Sequence, residues 1–167
     1  MSDPNIQIVT ATESDVRLIL SFIKGLAEYE RLSHSVVATE EGLRESLFGP
    51  KKYAEALIVK YGNEAAGFAL SFHNFSIFLG KPGIYLEDLF VLPEFRRKGI
   101  GKALFNYLAR LAVERKCGRL EWAVLDWNES AMRFYETIGA ACLDDWRIFR
   151  LAGEALERCG TPNSKVQ

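Results

Sequence analysis

The sequence predicts an α/β domain with one mixed central β-sheet flanked by helices. Three observations carry that prediction. Stretches with apolar residues at helical spacing interleave with β-prone runs, in the order β-α-α-β-β-β-α-β-α-β. No internal repeat, low-complexity tract or linker interrupts the chain. The 167 residues suit a single domain, residues 1–167, with its core over residues 6–151.

The elements follow in order. Ile6 to Thr10 alternates enough for a short strand. Thr12 offers a helix cap, and Glu13 and Asp15 fall in the first turn, where the helix dipole favours acids. Val16, Ile19, Leu20, Ile23 and Ala27 then recur at helical spacing, which predicts an amphipathic helix over 13–29. Thr39 caps a shorter helix, Glu40 to Phe48, stopped by Gly49-Pro50. Ala54 to Tyr61 and Glu64 to Asn74 read as a hairpin turning at Gly62-Asn63, and residues 75–83 as a loop. Ile84 to Val91 is β-prone and apolar apart from Glu87-Asp88. Ile100, Ala103, Leu104, Leu108, Leu111 and Ala112 mark a helix over Gly99 to Lys116. Arg119 to Leu125 reads as a strand, Glu129 to Ile138 as a helix stopped by Gly139, and Ala141 to Leu151 as a last strand. Residues 160–167 read as a disordered tail.

Composition removes several classes of function. Twenty-one Lys+Arg against 22 Asp+Glu leave a net charge of -1, a poor match to nucleic acid. No apolar run approaches a membrane span, and the N-terminus lacks the layout of a secretory signal. Cys117, Cys142 and Cys159 are odd in number and widely spaced, which argues against a disulfide framework and for a reducing, cytoplasmic setting. Cys117 and Cys142 read as small core residues. With only His34 and His73, no metal site is expected.

The most informative stretch is Arg96-Arg97-Lys98-Gly99-Ile100-Gly101-Lys102, between a strand and a helix. Glycines let a backbone approach a ligand closely, and free N–H groups at a helix start favour an anion. A phosphate or pyrophosphate is the natural guest. G-x-G-x-x-G fails at Leu104, and G-x-x-x-x-G-K-[ST] fails at Arg96 and Ala103. The bare residues also suit a simple glycine turn with surface cations.

R-x-x-G-x-G after an apolar strand resembles the acetyl-coenzyme A loop of the GNAT N-acetyltransferases. The likeness extends through Tyr85 to Val91, Ala123 to Met132, Phe134-Tyr135 and Gly139-Ala140. With Leu26 to Glu30, it is nearest to the spermidine/spermine and thialysine N-acetyltransferase branch. The resemblance implies a sheet whose strands splay to hold acetyl-coenzyme A. It implies that Arg96, Arg97, Lys98, Gly99, Ile100, Gly101 and Lys102 bind the pyrophosphate. The edge at Leu89, Phe90 and Val91 would take the pantetheine arm, and Asn128, Glu129, Ser130 and Ala131 would add a second coenzyme-contacting segment. Tyr135 matches the general acid that protonates the departing thiolate, and it would contact the coenzyme.

Glu87 matches the residue assigned to amine binding and base work. A primary ammonium has a pKa near 10.4, so roughly one molecule in 2,500 is neutral at pH 7. Reaching the amine costs about 4.6 kcal/mol at 1.36 per unit, which a carboxylate acceptor offsets. Without the family, Glu87 reads equally as a surface ion-pair residue. Asp88 falls on the opposite side of the strand if alternation holds, and is then structural unless a bulge re-aims it.

Tyr29 and Glu30 match substrate-contacting positions, or form an exposed acidic helix end. Polyamine-type members carry an acid and an aromatic before the glutamate strand. Here those positions are Ser76 and Phe78, which favours a smaller, lysine-like amine. Asp144, followed by Asp145, supplies a distal charge or a solvated turn. The resemblance thus implies direct acetyl transfer from acetyl-coenzyme A to a small-molecule amine, without metal, by a cytoplasmic homodimer. A protein or peptide acetyltransferase and a non-catalytic coenzyme A sensor remain the rival readings.

Overall fold

The computed structural model describes residues 3–161. The chain forms two compact units, Met1–Ala123 and Val124–Gln167.

The first unit carries a five-stranded sheet in sequence order. Its strands are β1 (Ile6–Thr10), β2 (Glu55–Tyr61), β3 (Glu64–Ser76), β4 (Lys81–Val91) and β5 (Leu120–Trp122). The first four pair antiparallel, and β5 joins β4 in parallel, so the sheet is mixed as expected. Along β2 the consecutive residues Ala56, Leu57, Ile58 and Val59 are all buried, which requires cover on both faces.

Two helices, α1 (Val16–Tyr29) and α2 (Glu40–Phe48), supply one cover. Ile19 and Phe22 of α1 and Leu47 of α2 join Ala56, Ile58, Phe68 and Phe90 in one cluster, where the Phe22 and Phe68 rings stack at 5.6 Å. The other cover is α3 (Ile100–Glu114), which buries Ile100, Leu104, Phe105 and Leu108 and contacts β1, β4 and β5. Phe105 meets Trp122 edge-on at 4.6 Å. At the far end of α3, Arg115 clamps Glu55 of β2 with bonds of 2.7 and 2.9 Å.

The start signals act as the sequence suggests. The Asp15 carboxylate accepts from both the backbone N–H and the hydroxyl of Thr12, each at 2.8 Å, and a short 3₁₀ turn leads into α1. The Thr39 hydroxyl accepts from the Gly42 N–H at 3.1 Å and opens α2. Gly67 is required for another reason. A Cβ there would lie 2.2 Å from the Phe90 carbonyl oxygen, so only glycine lets β3 close on β4.

Several boundaries differ from expectation. Residues 81–83 belong to β4 rather than to a loop, because a turn over residues 77–80, ending in Gly80 at φ +60°, suffices to reverse the chain. Pro82 is tolerated there because the β5 ladder begins only at Ile84. β5 is three residues long, not seven, and pairs only from Ile84↔Leu120 to Leu86↔Trp122.

The second unit holds α4 (Glu129–Thr137) and α5 (Gly153–Gly160). Asn128 caps α4 through its side-chain oxygen, and Gly139 at φ +85° follows its end. The strand expected over Ala141 to Leu151 is absent. Those residues form no ladder, and Trp146, Ile148 and Phe149 are 74%, 77% and 92% exposed. β-propensity needs a partner strand to become structure, and no described strand offers one. Cys142 is exposed rather than buried, and α5 was not foreseen. The tail expected over 160–167 lies outside the described residues from position 162 onward.

Candidate active site

The decisive local feature is a β-bulge. Across the β3–β4 ladder Ser71 pairs Leu86 and Leu70 pairs Asp88, so Glu87 is an extra residue with no partner. Ser71 and Leu70 are consecutive and point to opposite faces. Leu86 and Asp88 therefore also face opposite sides, although they are two residues apart. Leu70 packs against the cluster beneath α1, and Asp88 shares that face. The bulge thus re-aims Asp88, the residue that simple alternation reads as structural.

Asp88 lines a cleft of about 310 Å³ with Glu30, the residue that follows α1. Ile23 and Leu26 of α1, with Leu32, Val36 and Val37 beyond it, form apolar walls. Burial pushes the Asp88 carboxyl up to about 6, and the nearby Glu87 and Glu30 carboxylates add to the shift. Burial also raises Glu30. A cleft with an acidic lining and aliphatic walls suits an ammonium on a short carbon chain. Glu87 itself is exposed on the bulge. Tyr29 ends α1 beside Glu30 and is 41% exposed.

The bulge also marks where β4 and β5 part. Their ladder stops at Leu86, so Leu89, Phe90 and Val91 pair with β3 alone, opposite Ala69, Phe68 and Gly67. A strand edge without a neighbour can pair with an extended ligand.

Beyond that edge, Arg97 takes φ +64° and Gly99 takes φ +78° as the residue that starts α3, with no side chain capping the helix. The first N–H groups of α3 have no intrahelical acceptor, which favours an anion. Gly101 tests whether a phosphate fits. A Cβ there would meet nothing closer than Leu89 Cδ2 at 4.0 Å, and its φ is not in the left-handed region. No internal contact or turn demands glycine in this first helical turn. The missing side chain leaves this backbone open to close approach by a guest. The loop's cations do not all face that guest. The Lys98 ammonium lies 4.5 Å from the Tyr61 ring and 5.1 Å from Phe95. The Arg96 guanidinium lies 4.6 Å from the Tyr29 ring.

Phe78 is placed away from the cleft. It stands 90% exposed at the tip of the β3–β4 hairpin. Ser76 is buried, and its hydroxyl accepts from the Leu79 N–H at 3.3 Å, so this position closes the turn rather than holding a ligand. In the second unit, Asn128 to Ala131 form the start of α4, and Tyr135 lies on the same helix with its ring 5.6 Å from Phe134. Burial pushes the Tyr135 phenol up. Asp144 sits in an exposed turn, and its nearby carboxylate raises the Cys142 thiol. No group of metal-ligating side chains occurs among the described residues.

Asp88 is the cleft-lining acid that simple strand alternation places on the other face. Its only sequence signal is a pair of adjacent acids inside an apolar strand.

Residues 23–140 match the profile of the acetyltransferase (GNAT) family. Thialysine N-epsilon-acetyltransferase of Caenorhabditis elegans is 38% identical over 157 residues, 92% of this chain and 96% of that protein. L-ornithine N5-acetyltransferase NATA1 of Arabidopsis thaliana is 34% identical over 196 residues, 90% of this chain and 86% of that protein. Among solved structures, an integron cassette protein from the mobile metagenome of V. cholerae is similar in fold. Its TM-score is 0.79 at 24% identity, over 94% of this chain and 98% of that one.

Two outcomes follow from the site's geometry. Gly101→Ala should leave the melting temperature unchanged or higher, since alanine is favoured over glycine in a helix by about 1 kcal/mol. Its affinity for coenzyme A, read by calorimetry, should fall at least tenfold. Unaltered affinity would remove the phosphate explanation of Gly101. Asp88 gives the pH dependence. Its folded value of about 6 lies above the ordinary 3.8, so the folded state binds a proton more readily than the unfolded one. Stability from this group is full below pH 4 and declines as pH rises through 6. Asp88→Asn cannot ionise, so its melting temperature should gain on the parent's between pH 4 and 7. The difference should reach at most about 3 kcal/mol. A pH-independent difference would mean that Asp88 ionises without penalty.

Proposed function

Because the chain belongs to the acetyltransferase (GNAT) family, we propose that it moves the acetyl group of acetyl-coenzyme A onto the primary amine of a small, lysine-like or ornithine-like molecule. The single observation that carries the substrate class is the cleft that pairs Glu30 and Asp88 between aliphatic walls. Thialysine and ornithine, named for two of its relatives, are short amines of this kind.

Acetyl-coenzyme A supplies an acetyl group already activated as a thioester. Each remaining task has a candidate in this chain. The first N–H groups of α3, with the 96–102 turn, hold the pyrophosphate, and the Leu89–Val91 edge takes the pantetheine arm. The residues from Asn128 to Ala131 extend that contact, as in the family pattern. Asp88 and Glu30 hold the substrate ammonium, and Glu87 on the bulge, directly or through water, removes its proton. The amine then attacks the acetyl carbonyl, and the carbon–sulfur bond breaks. Tyr135 gives a proton to the departing thiolate, and the second proton that the nitrogen sheds as it becomes an amide restores the phenol. A phenol is protonated at neutral pH at its ordinary value; burial raises this one further, so transfer to a thiolate runs uphill and depends on placement beside the sulfur. This reading assigns no role to Phe78 or Asp144, both of them exposed. It takes the protein to be a cytoplasmic homodimer. The free cysteines and the exposed Trp146, Ile148 and Phe149 support those two points.

A free-thiol release assay with acetyl-coenzyme A tests the reading. Its panel holds thialysine, ornithine, lysine, spermidine, putrescine, a monoamine and a lysine peptide. The expected preference is thialysine or ornithine. Turnover of the peptide alone would replace this reading with a protein acetyltransferase. No turnover with intact coenzyme A binding would favour a sensor. Tyr135→Phe should lose about 10²–10⁴-fold in kcat with little change in coenzyme A affinity. An unaltered rate would remove Tyr135 from the acid role.

A further inference from the structure

Arg96 opens the turn assigned to the pyrophosphate, yet its side chain is held on the protein. Its Nε donates to the Val91 carbonyl oxygen at 3.1 Å. Its guanidinium carbon lies 4.6 Å from the centre of the Tyr29 ring and 5.8 Å from that of Phe90. These contacts join three places that matter to the site. Val91 ends the splayed edge of β4. Tyr29 is the last residue of α1, next to Glu30 of the cleft. Phe90 lies two residues beyond Asp88 on the same strand face, under α1. Its ring is so close to α1 that a Cβ at Gly25 would stand 3.0 Å away.

We propose that Arg96 is a positioning residue, a strut through which the coenzyme loop and the end of α1 that carries Glu30 hold each other in place. The inference rests on the functional reading above for the meaning of the two sites. The chemistry favours arginine specifically. A planar guanidinium can lie on a ring face while one edge N–H bonds a carbonyl, which a lysine ammonium on a flexible stem does not reproduce. The loop it braces is unusual backbone, with Arg97 at φ +64° and Gly99 at φ +78°. An anion seated on that loop orders Arg96, and Arg96 orders Tyr29 and the last turn of α1. Linkage makes the effect reciprocal, so an amine in the cleft tightens coenzyme A by the factor with which coenzyme A tightens the amine.

The test compares wild type, Tyr29→Phe, Tyr29→Leu, Arg96→Lys, Arg96→Ala and the Tyr29→Leu/Arg96→Ala double variant. Coenzyme A affinity is measured by calorimetry without any amine, and melting temperatures verify folding. Tyr29 is partly exposed at a helix end, so these changes should be tolerated. Tyr29→Leu and Arg96→Lys should each weaken coenzyme A at least fivefold. Tyr29→Phe, which keeps the ring face, should stay within twofold of wild type. The double variant should bind no more weakly than Arg96→Ala alone, because both changes break one strut. Coenzyme A affinity unaltered by Tyr29→Leu, or losses that simply add, would overturn the proposal. In a second arm, saturating thialysine should tighten coenzyme A several-fold in wild type and not in Tyr29→Leu. The amine-free arm stands by itself. A wrong substrate reading shows as absent amine turnover in wild type, whereas a wrong strut shows as unaffected coenzyme A affinity in Tyr29→Leu.

Discussion

One extra residue in β4 is the constraint on which the candidate site depends. Glu87 has no partner on β3, and the strand changes face across it. Before the bulge, Leu86 faces away from the cluster beneath α1. After it, Asp88 and Phe90 face toward that cluster. The parallel ladder to β5 ends at the same place. A regular strand would carry Asp88 to the other face, against the helix that covers it, and leave the cleft with Glu30 alone. The bulge therefore couples two features that share no side chain: an acid in the cleft and a strand edge without a neighbour.

That arrangement concentrates negative charge where burial opposes it. Asp88 is raised chiefly by burial and then by Glu87 and Glu30, so nothing on the protein fully compensates it. A positive charge brought beside such a carboxyl would lower its value again. The cationic loop shows the converse arrangement. Arg96 and Lys98 lie over aromatic rings. What the turn offers an anion is the free backbone N–H groups at the helix start and the open space at Gly101. The two halves of the site thus obtain their charge from different sources, carboxylates in the cleft and peptide dipoles at the helix start.

Much of the framework could be read from residue pattern, and the failures have physical causes. Thr12 and Thr39 mark helix starts because capping is a local bond, complete within three residues. Gly62 and Gly139 mark ends because a positive φ is a property of one residue. The strand read over Ala141 to Leu151 failed because a strand is defined by its partner, which local pattern does not contain. Phe78 stands 90% exposed on the turn that Ser76 closes, a placement set by the hairpin and not by local pattern.

The sequence by itself determined the family, the order of the elements through α4, the glycine turn before α3 and the candidate acids Glu30, Glu87 and Tyr135. Each of these is carried by residue identity and short-range spacing. Only the tertiary structure decided that Asp88 enters the cleft, that β5 ends after three residues, and that Arg96 lies on Tyr29. Those outcomes depend on register between strands and on contacts between residues far apart in the chain. A single-residue slip in pairing reverses the face of everything beyond it, and no local pattern records that slip.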